Sequence, residues 1–108
     1  MGSTSHQYKC MKRGYVYILA SKRDGTIYTG VTSNLCHRIL EHKEGRIDGF
    51  TKKYQVHRLV YFEEYESISE AILREKQIKT YKRKWKVELI EKENSEWCEL
   101  YYEMCDDY

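Results

Sequence analysis

The sequence predicts an α+β fold: a small three-stranded antiparallel sheet flanked by helices, in the order ββαβαα. Three observations carry this expectation. The segment 14–20, "GYVYILA", is β-branched and aromatic, and an Asp24-Gly25 turn signal joins it to a second such run. A third strand-like run, "RLVYFEEY" (58–65), comes later. Between and after the strands lie segments with helical caps and helical spacing of apolar residues.

In the first strand Tyr15, Tyr17 and Leu19 point one way, and Val16, Ile18 and Ala20 the other. "IYTGV" (27–31) is the return strand of a hairpin. A first helix follows in "TSNLCHRILEHKEG", capped by Ser33 or Asn34 and ended by Gly45. Its Leu35 and Ile39 share a face with Arg38 and His42. "RIDGFTKKYQ" reads as a basic, glycine-containing loop. After the third strand, "SISE" (67–70) fits a capping box and opens the helix "ISEAILREKQIK". Ile68, Ala71, Ile72 and Ile78 form its apolar stripe, with Glu75 set on that stripe. "KRKWKVELIEKEN" predicts a third helix with Trp85 and Leu89 inward, and "SEWCELYY" a last short helical turn.

The 108-residue length suits one domain. The expected division is a flexible leader or tag remnant at 1–11, a catalytic-type domain at 12–97 and an acidic C-terminal tail at 98–108. No apolar run spans a bilayer or forms a signal peptide, so a cytoplasmic protein without membrane partners is expected. Cys10, Cys36, Cys98 and Cys105 form no C-x-x-C pair and no zinc spacing, and are expected as reduced thiols. Residues 12–92 hold 18 Lys/Arg against 11 Asp/Glu, while 93–108 hold six acids and no Lys/Arg. A basic body with an acidic tail suits a polyanionic partner.

A carboxylate on a buried stripe demands a partner, because an unpaired buried charge costs several kcal/mol. A purely structural account pairs Glu75 with Arg38 and makes His42 a satisfied core histidine. Taken together with Tyr17 and Tyr28, the same residues form a set suited to phosphodiester hydrolysis. One carboxylate can hold Mg²⁺ whose other positions are water and phosphate oxygens. Arg matches phosphate with its planar fork. A tyrosine whose pKa is lowered by a nearby cation can activate water, with histidine assisting the proton traffic.

"YVY" (15–17) followed after ten residues by "YTG" (28–30) resembles the paired signature of the GIY-YIG nuclease superfamily. "NLCHRILEH" resembles its arginine–histidine stretch, matching Arg38 and His42, and "AILREKQIK" resembles its metal-binding glutamate helix, matching Glu75. The resemblance spans about residues 13–97 and is closest to small stand-alone bacterial members. It implies a metal-dependent endonuclease that hydrolyses DNA with one Mg²⁺ or Mn²⁺ ion on Glu75. It implies Tyr17 as general base, Tyr28 as a second hydroxyl near the attacking water, Arg38 on the scissile phosphate and His42 as accessory acid/base. Gly30 lets the backbone pass close to the site. Lys52 and Lys53 are expected to grip substrate, and Asn94 to match a family asparagine that props the site. The pattern is departed from at Tyr15, Thr29, Cys36 and His37, the last two standing where basic residues precede the arginine in close relatives.

The chain has no room for a separate DNA-binding domain, so recognition by shape, a homodimer or a DNA-binding partner protein supplies the remaining grip. The alternative is a binding module without turnover, gripping nucleic acid through loop 46–58 and "KTYKRKWK" with Tyr81 and Trp85 as stacking surfaces. A third reading is protein interaction through the tyrosine-rich acidic tail, which could equally be a helix covering the core.

Overall fold

A computed structural model describes residues 13–47 and 49–105. The leader at 1–11 with Cys10, and the last acids Asp106 and Asp107, lie outside the described residues.

Strands β1 (Gly14–Ala20), β2 (Ile27–Thr32) and β3 (Arg58–Tyr65) form one antiparallel sheet in the order β2-β1-β3. The predicted hairpin pairs Tyr17 with Gly30 and Leu19 with Tyr28. Its turn is closed by Ser21 N–H to Thr26 O at 2.9 Å, and Asp24 takes the left-handed φ of 57°. Arg83 donates to the carbonyls of Asp24 and Gly25, tying the hairpin tip to a later helix.

Two principal helices match the predicted ones closely. In α1 (Leu35–Lys43) the Asn34 side chain accepts from His37 N–H at 3.2 Å. Its end is a Schellman motif: Gly45 N–H bonds His42 O, Arg46 N–H bonds Glu41 O, and Gly45 has φ 72°. A short helix α2 (Phe50–Lys53) lies within the segment read as a loop. After β3, Ser67 caps α3 (Ile68–Lys79) by accepting from Glu70 N–H. Helices α4 (Arg83–Glu93) and α5 (Tyr101–Met104) complete the chain. Apart from the short α2 and α5, this is the ββαβαα order.

The alternation along β1 divides the core. Val16, Ile18 and Ala20 pack with Val60, Ala71, Ile78, Ile90 and Trp97 on one face. Tyr17 and Leu19 pack with Leu35, Ile39, Val56 and Leu59 on the other. Gly14 lets α3 settle on β1, since a Cβ there would stand 2.7 Å from Ala71 Cβ and Ile68 Cα. Two expectations need correcting. Ile72 is 37% exposed, because the stripe of α3 that faces the sheet is narrower than expected, carried by Ala71, Glu75 and Ile78 with Ile68 packed beside them. Trp85 is 52% exposed; the fully buried tryptophan is Trp97, which donates from Nε1 to Glu91 at 2.7 Å. No helix of the described residues is long and apolar enough to cross a membrane.

The expectation of reduced thiols is overturned for two of the four cysteines. Cys36 on α1 and Cys105 after α5 form a disulfide across 69 residues of sequence, while Cys98 is free and exposed. The pair meets because the C-terminal segment docks as a helix-bearing strap rather than trailing away. Leu100 N–H bonds Leu59 O, and Glu99 pairs with Lys43 while accepting from Leu59 N–H. Closing a loop of this length removes much unfolded-state entropy, about 2–4 kcal/mol of stability. Melting with and without reductant is therefore expected to show a fall of at least about 10 °C on reduction, since 1 kcal/mol moves a domain of this size by about 4–8 °C. Superimposable melts would show that the bridge adds nothing.

Candidate active site

The hairpin places two phenols side by side. Because Tyr17 faces Gly30, Tyr28 is its diagonal cross-strand neighbour, with ring centroids 6.3 Å apart. A Cβ at position 30 would overlap Cζ and Oη of Tyr17, so the glycine makes the space in which that hydroxyl sits.

Helix α1 then supplies the imidazole. His42 is buried, and its ring centroid is 5.7 Å from that of Tyr17 and 5.6 Å from that of Tyr28. Its Nε2 lies 3.0 Å from the Tyr17 hydroxyl and its Nδ1 3.0 Å from Thr51 Oγ1. Burial, assisted by the positive charge of Arg38, lowers the His42 pKa to about 4, so the ring is neutral at pH 7. A neutral imidazole has one N–H and one lone pair, and both of its contacts are hydroxyls able to serve either.

Tyr17 departs from one expectation. Its pKa is raised, not lowered: burial is the main cause, the neighbouring Tyr28 adds to it, and Arg38 opposes it while Glu75 and Glu41 reinforce it. In this state the phenol keeps its proton, and its immediate hydrogen-bond partner is His42 Nε2.

Arg38 does not bridge Glu75. Its side chain is partly exposed and makes a long pair, 3.7 Å, with Glu41 one turn along α1. Glu75 pairs within its own helix: Lys79 Nζ lies 2.6 Å from Glu75 Oε2. The Glu75 side chain is 11% exposed against 51% for Lys79, so a nearly buried carboxylate is balanced by a cation reaching in from solvent. Among the described residues no group of three or more His, Cys, Asp or Glu is placed to hold a metal ion together. The donor set is thus one carboxylate with an ammonium already opposite it. It fits an ion such as Mg²⁺, which retains waters and takes one or two protein carboxylates plus phosphate oxygens.

Lys52 and Lys53 are exposed on α2, the Lys53 ammonium lying 5.4 Å from the centroid of the Tyr54 ring. Asn94 is not brought to this set. Its amide donates to Val60 O and Cys98 O and accepts from Cys98 N–H, fastening the end of α4 to β3. Sequence reasoning missed Thr51, which holds His42, and Phe50, which is 45% exposed and stacks on Tyr28 at 6.2 Å. Neither carried a signal, because a four-residue helix is too short to show a period. Lys79 was legible, four residues after Glu75 on one helix.

A family model described as the GIY-YIG catalytic domain matches residues 13–88. A UPF0213 protein of Staphylococcus haemolyticus is 43% identical over 81 residues, covering 75% of this chain and 98% of that protein. A UPF0213 protein of Staphylococcus saprophyticus is 40% identical over 80 residues, 74% of this chain and 96% of that one. A UPF0213 protein of Staphylococcus aureus is 41% identical over 80 residues, with the same coverage. No solved structure matches.

Proposed function

The chain belongs to the GIY-YIG catalytic-domain family, a nuclease family, and on that footing we propose that it is a metal-dependent endonuclease that hydrolyses DNA phosphodiester bonds. The observation that carries this reading is the hydrogen-bonded Tyr17–His42 pair beside Tyr28.

In the proposed reaction the Tyr17 oxygen takes a proton from the attacking water as its own proton passes to His42 Nε2. This relay answers the raised pKa, since no free phenolate has to accumulate. With Thr51 accepting from His42 Nδ1–H, the Nε2 lone pair is the one that faces Tyr17. Tyr28 offers the second hydroxyl to the water. Arg38 holds the scissile phosphate with its planar fork. The water oxygen bonds phosphorus and the bond to the leaving oxygen breaks; that oxygen keeps the electron pair and takes a proton from solvent, while His42 releases its proton to solvent. Glu75 would hold a Mg²⁺ or Mn²⁺ ion, which would supply charge stabilisation to the phosphoryl and leaving oxygens. Gly30 keeps the Tyr17 hydroxyl in place, and Lys52 and Lys53 on α2 contact the phosphate backbone. A homodimer or a DNA-binding partner extends the grip.

A second reading, a nucleic-acid-binding module without turnover, is favoured by one observation. Trp85 is exposed on α4, with Tyr81 packed edge-on at 5.7 Å, in a lysine-rich stretch. A nicking assay over single-stranded, duplex and branched DNA, with Mg²⁺ or Mn²⁺ and with EDTA, separates the two. Metal-dependent nicks are expected. Salt-sensitive retention of DNA in EDTA with no nicks on any substrate after metal addition would leave the binding module.

A further inference from the structure

We infer that Lys79 is an exchangeable counter-cation, holding the Glu75 carboxylate while no divalent ion is bound and moving onto a substrate phosphate oxygen when such an ion takes its place. This rests on the nuclease reading above. Glu75 and Lys79 are one turn apart, in the orientation that favours a helical ion pair. The carboxylate is nearly buried and needs a cation beside it; the ammonium is half exposed on a flexible four-carbon stem and can leave without unfolding anything.

What lies around Lys79 says where it goes. A groove of about 340 Å³ at the β2 edge is lined by Ile27, Tyr28, Thr29, Phe50, Lys79 and Lys86. It joins the second phenol of the candidate site to two lysines, and no acid is among these lining residues. An ammonium released into that groove meets a cationic, aromatic-walled channel open beside Tyr28. The ligand complementary to that lining is the anionic backbone of the nucleic acid. Metal and DNA affinities are then coupled, each strengthening the other by the same factor.

The test is Lys79→Met in the full chain. Mn²⁺ alone, titrated without DNA and read from the free ion by electron paramagnetic resonance, should bind roughly two- to fivefold tighter to the variant, the range set by loss of a half-exposed ion pair. Lys79→Arg, which keeps the cation, should retain wild-type Mn²⁺ affinity and melt with the wild type, whereas Lys79→Met should melt lower by no more than about 4–8 °C, the equivalent of the lost ion pair. The salt dependence of oligonucleotide binding gives a second readout. In Ca²⁺ the slope of log affinity against log salt should be shallower for Lys79→Met by about 0.9, one phosphate contact, whereas in EDTA the slopes should agree. Unchanged or weaker Mn²⁺ binding by Lys79→Met, or an equal slope difference in both conditions, overturns the inference. Unchanged Mn²⁺ binding alongside metal-dependent nicking by the wild type overturns it while the nuclease reading stands. Tighter Mn²⁺ binding without nicking by the wild type upholds the ion exchange and overturns the reading beneath it.

Discussion

Glu75→Gln is expected to reduce metal-dependent cleavage at least about a thousandfold, because the site offers one carboxylate and each tenfold in rate corresponds to about 1.4 kcal/mol of transition-state stabilisation. The substitution keeps the shape of the side chain and removes its charge. Its effect on folding is small: the pair with Lys79 is half exposed on the lysine side, and such pairs contribute up to about 1 kcal/mol. Single-turnover nicking in Mg²⁺ or Mn²⁺, beside a thermal melt of the same preparation, separates loss of chemistry from loss of fold. A folded Glu75→Gln protein that cuts as fast as the wild type would defeat the assignment of Glu75 as metal ligand.

The second large effect is expected for Tyr17→Phe. Removing the hydroxyl breaks the relay to His42, and general acid–base catalysis of this kind contributes about 10²–10⁴-fold. It also leaves His42 Nε2 buried without its partner, a loss of about 1–3 kcal/mol, so the rate is read at a temperature well below the variant's melting point. The wild-type pH profile carries the matching signature. His42 acts as a base only when neutral, and its pKa is lowered to about 4, so the acid limb attributable to this residue falls near pH 4 rather than near 6.5. Stability follows the same shift. The unfolded chain takes up the imidazole proton near pH 6.5, whereas the folded chain takes it up only near pH 4. Stability is therefore lost as pH falls from about 6.5 to 4, and this residue causes no further loss below. A histidine limb near 6.5, observed by NMR titration of His42 in the folded protein, would remove the basis for the relay.

Much of this was legible because it rests on short-range rules. Alternation in 14–20 assigned Tyr17 and Val16 to opposite faces, and Asn34, Gly45 and Ser67 marked helix ends through backbone hydrogen bonds that their side chains or conformations satisfy. The order of the paired tyrosines, Arg38, His42 and Glu75 pointed to the site. What was not legible depends on distant or very short elements. The Cys36–Cys105 bridge needs the C-terminal strap to reach α1, and nothing local signals that. Thr51 sits in a helix of one turn. Trp85 and Trp97 are equally apolar to a pattern, and tertiary packing alone put the second inside. Glu75 found its partner locally because a residue four positions along the same helix is preorganised beside it, while Arg38 belongs to another element.

The register of the hairpin gives its two signature strings a shared meaning. Tyr17 and Gly30 are opposite members of one rung, a ring on one strand occupying the vacancy left by a missing side chain on the other. The ten residues separating the strings belong mostly to the turn and to the far ends of both strands, away from that rung. Because turn geometry sets the pairing of a hairpin, a change in the loop that slipped the strands by one residue would carry the Tyr17 ring off that vacancy and onto the opposite face of the sheet.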